Sequence, residues 1–576
     1  MPTLHYRIDA RTPWSRELGV ELAWSPDADT AAAELFLPSW TPGSYLIREY
    51  ARHLSRVEAF DADDGRRLAC RKTSKNRFEV ERAGARRIAV RYRVYAHELS
   101  VRTADLDASH AYWNHACVLL WPVDRPEADA EIEVLAPPGW TVACALPSRG
   151  SDDATTLVAE DLDHALDAPV LVGRPQRIEW QVDGVPHAIV LDGLDGIEPP
   201  ASLASDLERI VRRAAAVFGG TPCYDRYLFL ALFADEGHGG LEHRDSSTLL
   251  MARTALADER GYREFLGLAA HELFHAWNVK RMRPQELWRY DYERENYTGF
   301  LWLVEGWTAY YDDLLVARAG LMSAKDYLAA MTKNVQNLFA SPGRLRLTLE
   351  ESSFDAWIRL YRPDENTRNS SQNYYGNGAV AAMCLDLFVR RTTAHARSLD
   401  DVLRELWTTF EEGRGYTMAD VERALRAVAG DEAVRLLHDL VRGPLDPTLD
   451  EALADVGVAV QRAERDRPFL GVTFRAGTTV VAAVVAESAA CAAGLAPGDE
   501  VLAVRGLRVT PETWQKVFAA VARPGTPVDV LVARRGVLRT LTAAPDEGPA
   551  KVQLVPAEHA TEAQLAARRA WLHDAH

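Results

Sequence analysis

The stretch His271-Glu272-Leu273-Phe274-His275 constrains this chain more than any other. It lies in an apolar pattern of helical period. Leu266, Ala270, Phe274 and Trp277 form one stripe, Gly267 is the only glycine between Tyr262 and Arg283, and the next proline is Pro284. The pattern predicts one helix over 262–283 that Pro284 stops. Two imidazoles four residues apart share one face of such a helix, a turn from each other, and can reach a single metal ion together.

A third ligand candidate follows in Leu303-Val304-Glu305-Gly306-Trp307. The segment 300–319 is helical by period and contains no proline, and an acid among Leu301, Trp302, Leu303, Val304 and Trp307 wants a cation. Two imidazoles and one carboxylate suit Zn²⁺, one ion per chain. Three protein ligands leave a fourth position for water, the layout of a catalytic rather than a structural site. Glu272, beside the first ligand and not itself a ligand, is placed to take a proton from that water as general base. His238 and His243 fall outside both helices and are not read as ligands. His115 is read as a core or surface histidine.

Length and charge narrow the setting. A chain of 576 residues exceeds one core, and a net charge of −17 argues against nucleic-acid and anionic-membrane partners. Cys70, Cys117, Cys144, Cys223, Cys384 and Cys491 are widely spaced, with no C-x-x-C, and read as thiols of a reducing compartment. Neither an apolar signal region after Met1 nor an 18-residue apolar run is visible, so a cytoplasmic protein is expected.

The expected class is multidomain α+β. Residues 1–178 read as an N-terminal antiparallel β domain: the stretches starting at Leu18, Arg77 and Ile88 alternate with period two. Residues 179–320 read as the catalytic domain, with strands near Pro186 and Arg226 and a helix from Leu203 to Phe218 capped by Gly219-Gly220. Residues 321–463 read as α-helical, and within them the polar stretch 351–377 is expected to deliver Tyr375 to the cleft. Residues 464–545 return to β, and 546–576 form a tail with a short helix.

Several motifs now resemble a known family. The pentad followed by Glu305 in a hydrophobic-Glu-Gly-aromatic helix resembles the gluzincin metallopeptidases, which implies a thermolysin-like catalytic domain. Gly239-Gly240-Leu241-Glu242-His243 resembles the Gly-x-Met-Glu-Asn strand of gluzincin aminopeptidases, and Tyr375-Gly376-Asn377-Gly378 their Tyr-x-x-Gly motif. Phe469-Leu470-Gly471-Val472 resembles the carboxylate-binding loop of a PDZ domain, and Gly494 to Leu502 its most recognisable stretch. In that order they resemble the glycyl aminopeptidase family, gluzincins carrying a PDZ domain. The resemblance covers nearly the whole chain, including Ser39-Trp40-Thr41-Pro42-Gly43-Ser44-Tyr45 and Arg569-Ala570-Trp571-Leu572. Leu241 and His243 stand where the family has Met and Asn, and Asn377 where it has Lys.

The resemblance implies a preference for N-terminal Gly or Ala and assigns the oxyanion contact to the Tyr375 hydroxyl, with Tyr374 as the alternative. Glu242 is the feature that favours an aminopeptidase, because a fixed carboxylate holds a free α-ammonium by a charge-assisted bond. Gly239 and Gly240 would let substrate backbone approach closely, and the stretch His243 to Leu249 would pair with it as an added strand. The expected partners are peptides with a free N-terminus and, for the PDZ-like loop, a C-terminal peptide. Two rivals stand beside this reading: a zinc endopeptidase, and a PDZ-bearing scaffold protein with a vestigial peptidase fold.

Overall fold

The computed structural model describes residues 3–27, 30–151, 154–410, 413–463, 468–548 and 550–572. The chain forms two compact units, neither contiguous in sequence. One takes in Met1–Tyr297, Tyr311–Leu321 and Leu403–Thr417; the other takes in Thr298–Tyr310, Met322–Val402 and Met418–His576. The helix Gly306–Arg318 is therefore shared, its first turn in the second unit and the rest in the first. Among the described residues no helix is long and apolar enough to cross a membrane.

The first unit begins with β structure whose alternation is visible in the sequence. In Glu17–Trp24 every second residue, Leu18, Val20, Leu22 and Trp24, is buried. Burial of aliphatic side chains of this size contributes about 1.5–3 kcal/mol each. An eight-stranded sheet and two four-stranded sheets contribute to one core around Trp24, Trp113 and Trp121. One pairing departs from the antiparallel expectation: Leu4–Asp9 runs parallel to Ala130–Leu135. More than a hundred residues separate the two strands, so no hairpin dictates their direction.

A five-stranded sheet follows, in the order Gln176–Val182, Val185–Asp192, Tyr227–Ala234, Ser246–Ala252, His238–Glu242. Tyr227–Ala234 is apolar on both faces and pairs in parallel on both sides, as a buried central strand should. The helix Leu203–Val217 is the crossover that leads into it. It ends at Gly219 and Gly220, both at positive φ, and Gly220 N–H donates to the Ala215 carbonyl at 2.8 Å.

The helix carrying the pentad, Glu259–Phe274, starts on an Asp258 cap and stops well before Pro284. His275 is its C-cap. Beyond it Ala276 and Trp277 N–H donate to carbonyls three residues back, Lys280 N–H donates to the His275 carbonyl at 3.0 Å, and Val279 turns at φ 121°. These contacts satisfy the last carbonyls, so the helix ends without a proline. Trp277, expected on the helical stripe, lies in this turn.

An ionic cluster ties the N-terminal sheets to the five-stranded sheet. His110 Nδ1 faces Asp192 Oδ2 at 2.5 Å and its Nε2 faces Asp105 Oδ2 at 3.1 Å. Burial opposes the charged ring, but the two carboxylates more than offset it and its pKa is raised to about 10. The folded state therefore holds a proton that the unfolded chain releases near pH 6.5. The stabilisation is complete below that pH and is lost as pH rises through about 10. The melting-temperature gap between wild type and His110→Gln should shrink steadily over that window; a gap that stays constant would refute the assignment.

The second unit is mainly helical, with Ala324–Phe339, Leu349–Phe354, Thr367–Ser370, Gly376–Thr392 and Met418–Arg442, the last kinked at Gly430. Val458–Ala463 pairs antiparallel with Lys551–Pro556, and these two strands bracket a β-rich module of residues 468–548 with its own core around Leu470, Val501, Phe518 and Val530. The expected boundary at 463/464 abuts residues 464–467, outside the described residues. After the module comes Glu562–Leu572, where Trp571 is wholly buried and donates to Tyr310 Oη at 2.8 Å.

Candidate active site

Each histidine of the pentad has its Nδ1 engaged by an acceptor. His271 Nδ1–H donates to Asp312 Oδ2 at 3.2 Å, and His275 Nδ1–H to the Asn278 carbonyl at 2.9 Å. A carboxylate and a carbonyl only accept, so Nδ1 carries the hydrogen in both rings and Nε2 is the basic nitrogen. An acceptor on the other ring nitrogen is what orients a metal-ligating histidine. The ring centroids lie 4.8 Å apart. The donor set thus fits a metal, and Asp312 and Asn278 are partners that the sequence reading missed. No local pattern marks Asp312, and Asn278 is found only through the turn that ends the helix.

Glu272, between them, is buried at 4% exposure. Its carboxylate lies against Gly240, where a Cβ would sit 1.8 Å from Glu272 Oε1. Gly240 was expected to make room for substrate; the structure has it make room for Glu272. Gly239 meets only Arg102, whose guanidinium donates to the Gly240 carbonyl at 3.2 Å. Both glycines lie on His238–Glu242, the edge strand of the five-stranded sheet. The stretch expected to receive substrate backbone, His243 to Leu249, leads into Ser246–Ala252. That strand pairs on both sides and has no edge to offer, whereas His238–Glu242 does.

Glu242 ends this strand at 5% exposure. Gly43, at φ +84°, packs directly on it: a Cβ there would lie 2.4 Å from Glu242 Oε2. The Ser39–Tyr45 stretch of the N-terminal β region thus closes over the carboxylate, which the sequence alone did not indicate. Ligand atoms of Glu242, Glu272 and His275 all lie within 4.8 Å of one another.

Lys280, nearly fully buried, pairs with Asp167 at 2.6 Å. Burial disfavours both charges, but their attraction prevails, holding Asp167 well below the usual carboxylate range and raising Lys280, to which Glu242 also contributes. His243 is buried beside the same aspartate, its Nδ1 3.3 Å from Asp167 Oδ1, and joins no group of three that could hold a metal among the described residues. His238 is exposed at the start of the edge strand. His115 is a core histidine: burial lowers its pKa to about 4, and its Nδ1–H donates to the Ala165 carbonyl at 2.8 Å. A cavity of about 1070 Å³ opens beside Asp167 and Lys280, but no pentad residue lines it.

In the second unit, Glu305 is buried at 1% exposure at the junction of the helices Leu301–Val304 and Gly306–Arg318, with Glu305 N–H donating to Leu301 O and Ala309 N–H to Glu305 O. Gly306 and Gly378 let two helices touch backbone to backbone. A Cβ on Gly378 would sit 2.8 Å from Gly306 Cα, and one on Gly306 2.6 Å from the Tyr374 carbonyl. That contact sets Tyr375, the N-cap residue of Gly376–Thr392, near Glu305. Burial, then the Glu305 carboxylate, pushes the Tyr375 hydroxyl well above its usual pKa, so it stays a donor. Its Oη lies 3.4 Å from Tyr361 Oη. Tyr374 is wholly buried whereas Tyr375 is half-buried, so Tyr375 is the one open to a ligand. Asn377 is turned inward, donating to Gln372 Oε1 at 3.0 Å.

Family profiles match two stretches of the chain: M61 glycyl aminopeptidase over residues 264–381 and the peptidase M61 N-terminal domain over residues 5–174. Among solved structures, an aminopeptidase N family protein from Idiomarina loihiensis is 30% identical, with a TM-score of 0.91 over 99% of this chain and 100% of its own. An M1 zinc metallopeptidase from Deinococcus radiodurans is 18% identical, with a TM-score of 0.49 over 78% of this chain and 94% of its own. A mutant of an M1 zinc metallopeptidase from the same organism, bound to a Tyr-Ser-Ala substrate, is 20% identical with the same score and coverage. No curated protein sequence matches the chain.

Proposed function

Because this chain belongs to the M61 glycyl aminopeptidase family, we propose that it is a zinc-dependent aminopeptidase removing small N-terminal residues, Gly or Ala, from peptides. The observation that carries the reading is the convergence of Glu242, Glu272 and His275 within 4.8 Å. A base and an ammonium-binding acid serving one reacting centre would have to lie this close together.

The ion would be held by Nε2 of His271, Nε2 of His275 and the Glu305 carboxylate. Support for Glu305 is its burial at 1% exposure, where an acid wants a cation. Bound there, zinc supplies a polarised scissile carbonyl and an acidified water.

The remaining roles fall to the chain. Glu272 takes the proton of the attacking water and passes it to the leaving amine. Gly240 gives its carboxylate the space to do so. Glu242 binds the substrate α-ammonium, and the Gly43 turn packed on it would leave no room for a residue upstream of the first. The edge strand His238–Glu242 pairs with substrate backbone. The Tyr375 hydroxyl donates to the developing oxyanion.

The module 468–548 is read as PDZ-like, with Phe469, Leu470, Gly471 and Val472 as a loop that could capture a peptide carboxylate. Gly471, at φ +88°, has no room for a side chain against Ser488.

The test is hydrolysis of glycyl and alanyl chromogenic amides, with and without an acetylated N-terminus and with and without a chelator. Cleavage should require the free amine, vanish with the chelator and return with zinc. Equal cleavage of both forms would make the protein an endopeptidase.

A further inference from the structure

The module 468–548 is an insertion whose two ends meet. Ala463 lies opposite Lys551 in the strand pair that brackets it. That pair is anchored on Ala324–Phe339, where Leu554 N–H donates to Thr332 Oγ1 at 3.0 Å and Gln336 donates to the Val552 carbonyl at 2.8 Å. The module therefore closes no gap in the helical region, which leaves open what it does there.

One buried side chain links the module to the segment leading into Tyr375. Asn369, at 7% exposure, donates from Nδ2 to the Val484 carbonyl at 2.8 Å and accepts from Ala486 N–H at 2.7 Å. It thus reads both polarities of the loop 484–486, as a strand neighbour would. That loop is tied in turn to the stretch Phe469–Val472: Val485 N–H donates to the Gly471 carbonyl and Ala490 N–H to the Leu470 carbonyl, both at 2.8 Å. The nearby Arg346–Glu487 pair at 3.1 Å is exposed and adds little.

From Asn369 the chain has six residues to run to Tyr375, and it is held along the way. Ser371 packs on Gly343, which has no room for a Cβ against its carbonyl. The Gln372 carbonyl accepts from Ser352 Oγ, and Gln372 Oε1 accepts from Asn377 Nδ2 at 3.0 Å. These contacts tether the whole stretch from Asn369 to the N-cap of Gly376–Thr392, where Tyr375 sits.

We propose that the inserted module braces the Tyr375 segment through Asn369, which makes Asn369 a positioning residue for the reaction. The inference rests on the oxyanion role of Tyr375 given above. A transition-state donor misplaced by about an ångström loses most of its effect, so the loss should appear in kcat and not in KM.

The experiment compares Asn369→Ala, Tyr375→Phe and the double variant, all loaded with zinc. Tyr375→Phe should lower kcat about 10²–10³-fold, and Asn369→Ala about tenfold or more with KM within about twofold. On the Tyr375→Phe background Asn369→Ala should cost nothing further, because the hydroxyl it positions is gone. Losses that multiply would mark a general structural effect and overturn the proposal, as would full kcat in Asn369→Ala. An unchanged kcat in Tyr375→Phe would instead sink the Tyr375 reading itself. Asn369→Asp, which keeps the acceptor for Ala486 N–H and loses the donor to Val484, should show an intermediate loss of kcat if the alanine variant fails to fold.

Discussion

Glu272→Gln should leave one zinc bound per chain and abolish nearly all turnover. Glutamine keeps the shape of the side chain, so it still fits over Gly240, where the space is too small for a Cβ. The ligands keep their supports, His271 on Asp312 and His275 on Asn278. What is lost is the carboxylate proposed to accept a proton from water and give it to the leaving amine. Such a contribution is worth about 10²–10⁴-fold in rate. His271→Ala, His275→Ala and Glu305→Ala should behave in the opposite way, weakening or stripping the metal first and losing activity as a consequence. Metal analysis of the purified variants separates the two classes. Loss of zinc from Glu272→Gln would make Glu272 a ligand, and normal zinc in Glu305→Ala would place the third ligand elsewhere.

Glu242→Ala should erase the preference for a free amine. A buried carboxylate closed over by Gly43 has few positions open to it, so an α-ammonium meets it in fixed geometry. Removing one partner of a buried charge pair costs about 2–5 kcal/mol, partly because the other charge is left uncompensated. kcat/KM for free-amine amides should therefore fall by orders of magnitude. N-acetylated amides, poor substrates from the start, should change little, and the ratio between the two should collapse. A variant that keeps the wild-type ratio would return Glu242 to a structural role and leave the selection of the amine to another group.

The two predictions rest on different kinds of information. The chemistry of the pentad is local: fixed spacing on a 3.6-residue helix puts two imidazoles and a carboxylate within a turn of one another whatever surrounds them. The apolar neighbours of Glu305 announce its burial in the same way, and the alternation of Glu17–Trp24 announces its strand. The sequence by itself therefore picked out the candidate ligand set, a candidate base and the order of β and α regions. It did not determine where the pentad helix ends, because the last carbonyls are satisfied by Lys280 N–H and a turn at Val279 rather than by a breaker residue. Nor did it determine which strand offers an edge: pairing partners, not local pattern, leave His238–Glu242 at the margin and bury Ser246–Ala252 between neighbours. The glycines make the same point. In sequence Gly43, Gly240, Gly306 and Gly378 look alike, as places where a chain can bend. In the fold they are places where Glu242, Glu272 or another helix comes too close for a Cβ, a demand that only tertiary packing creates.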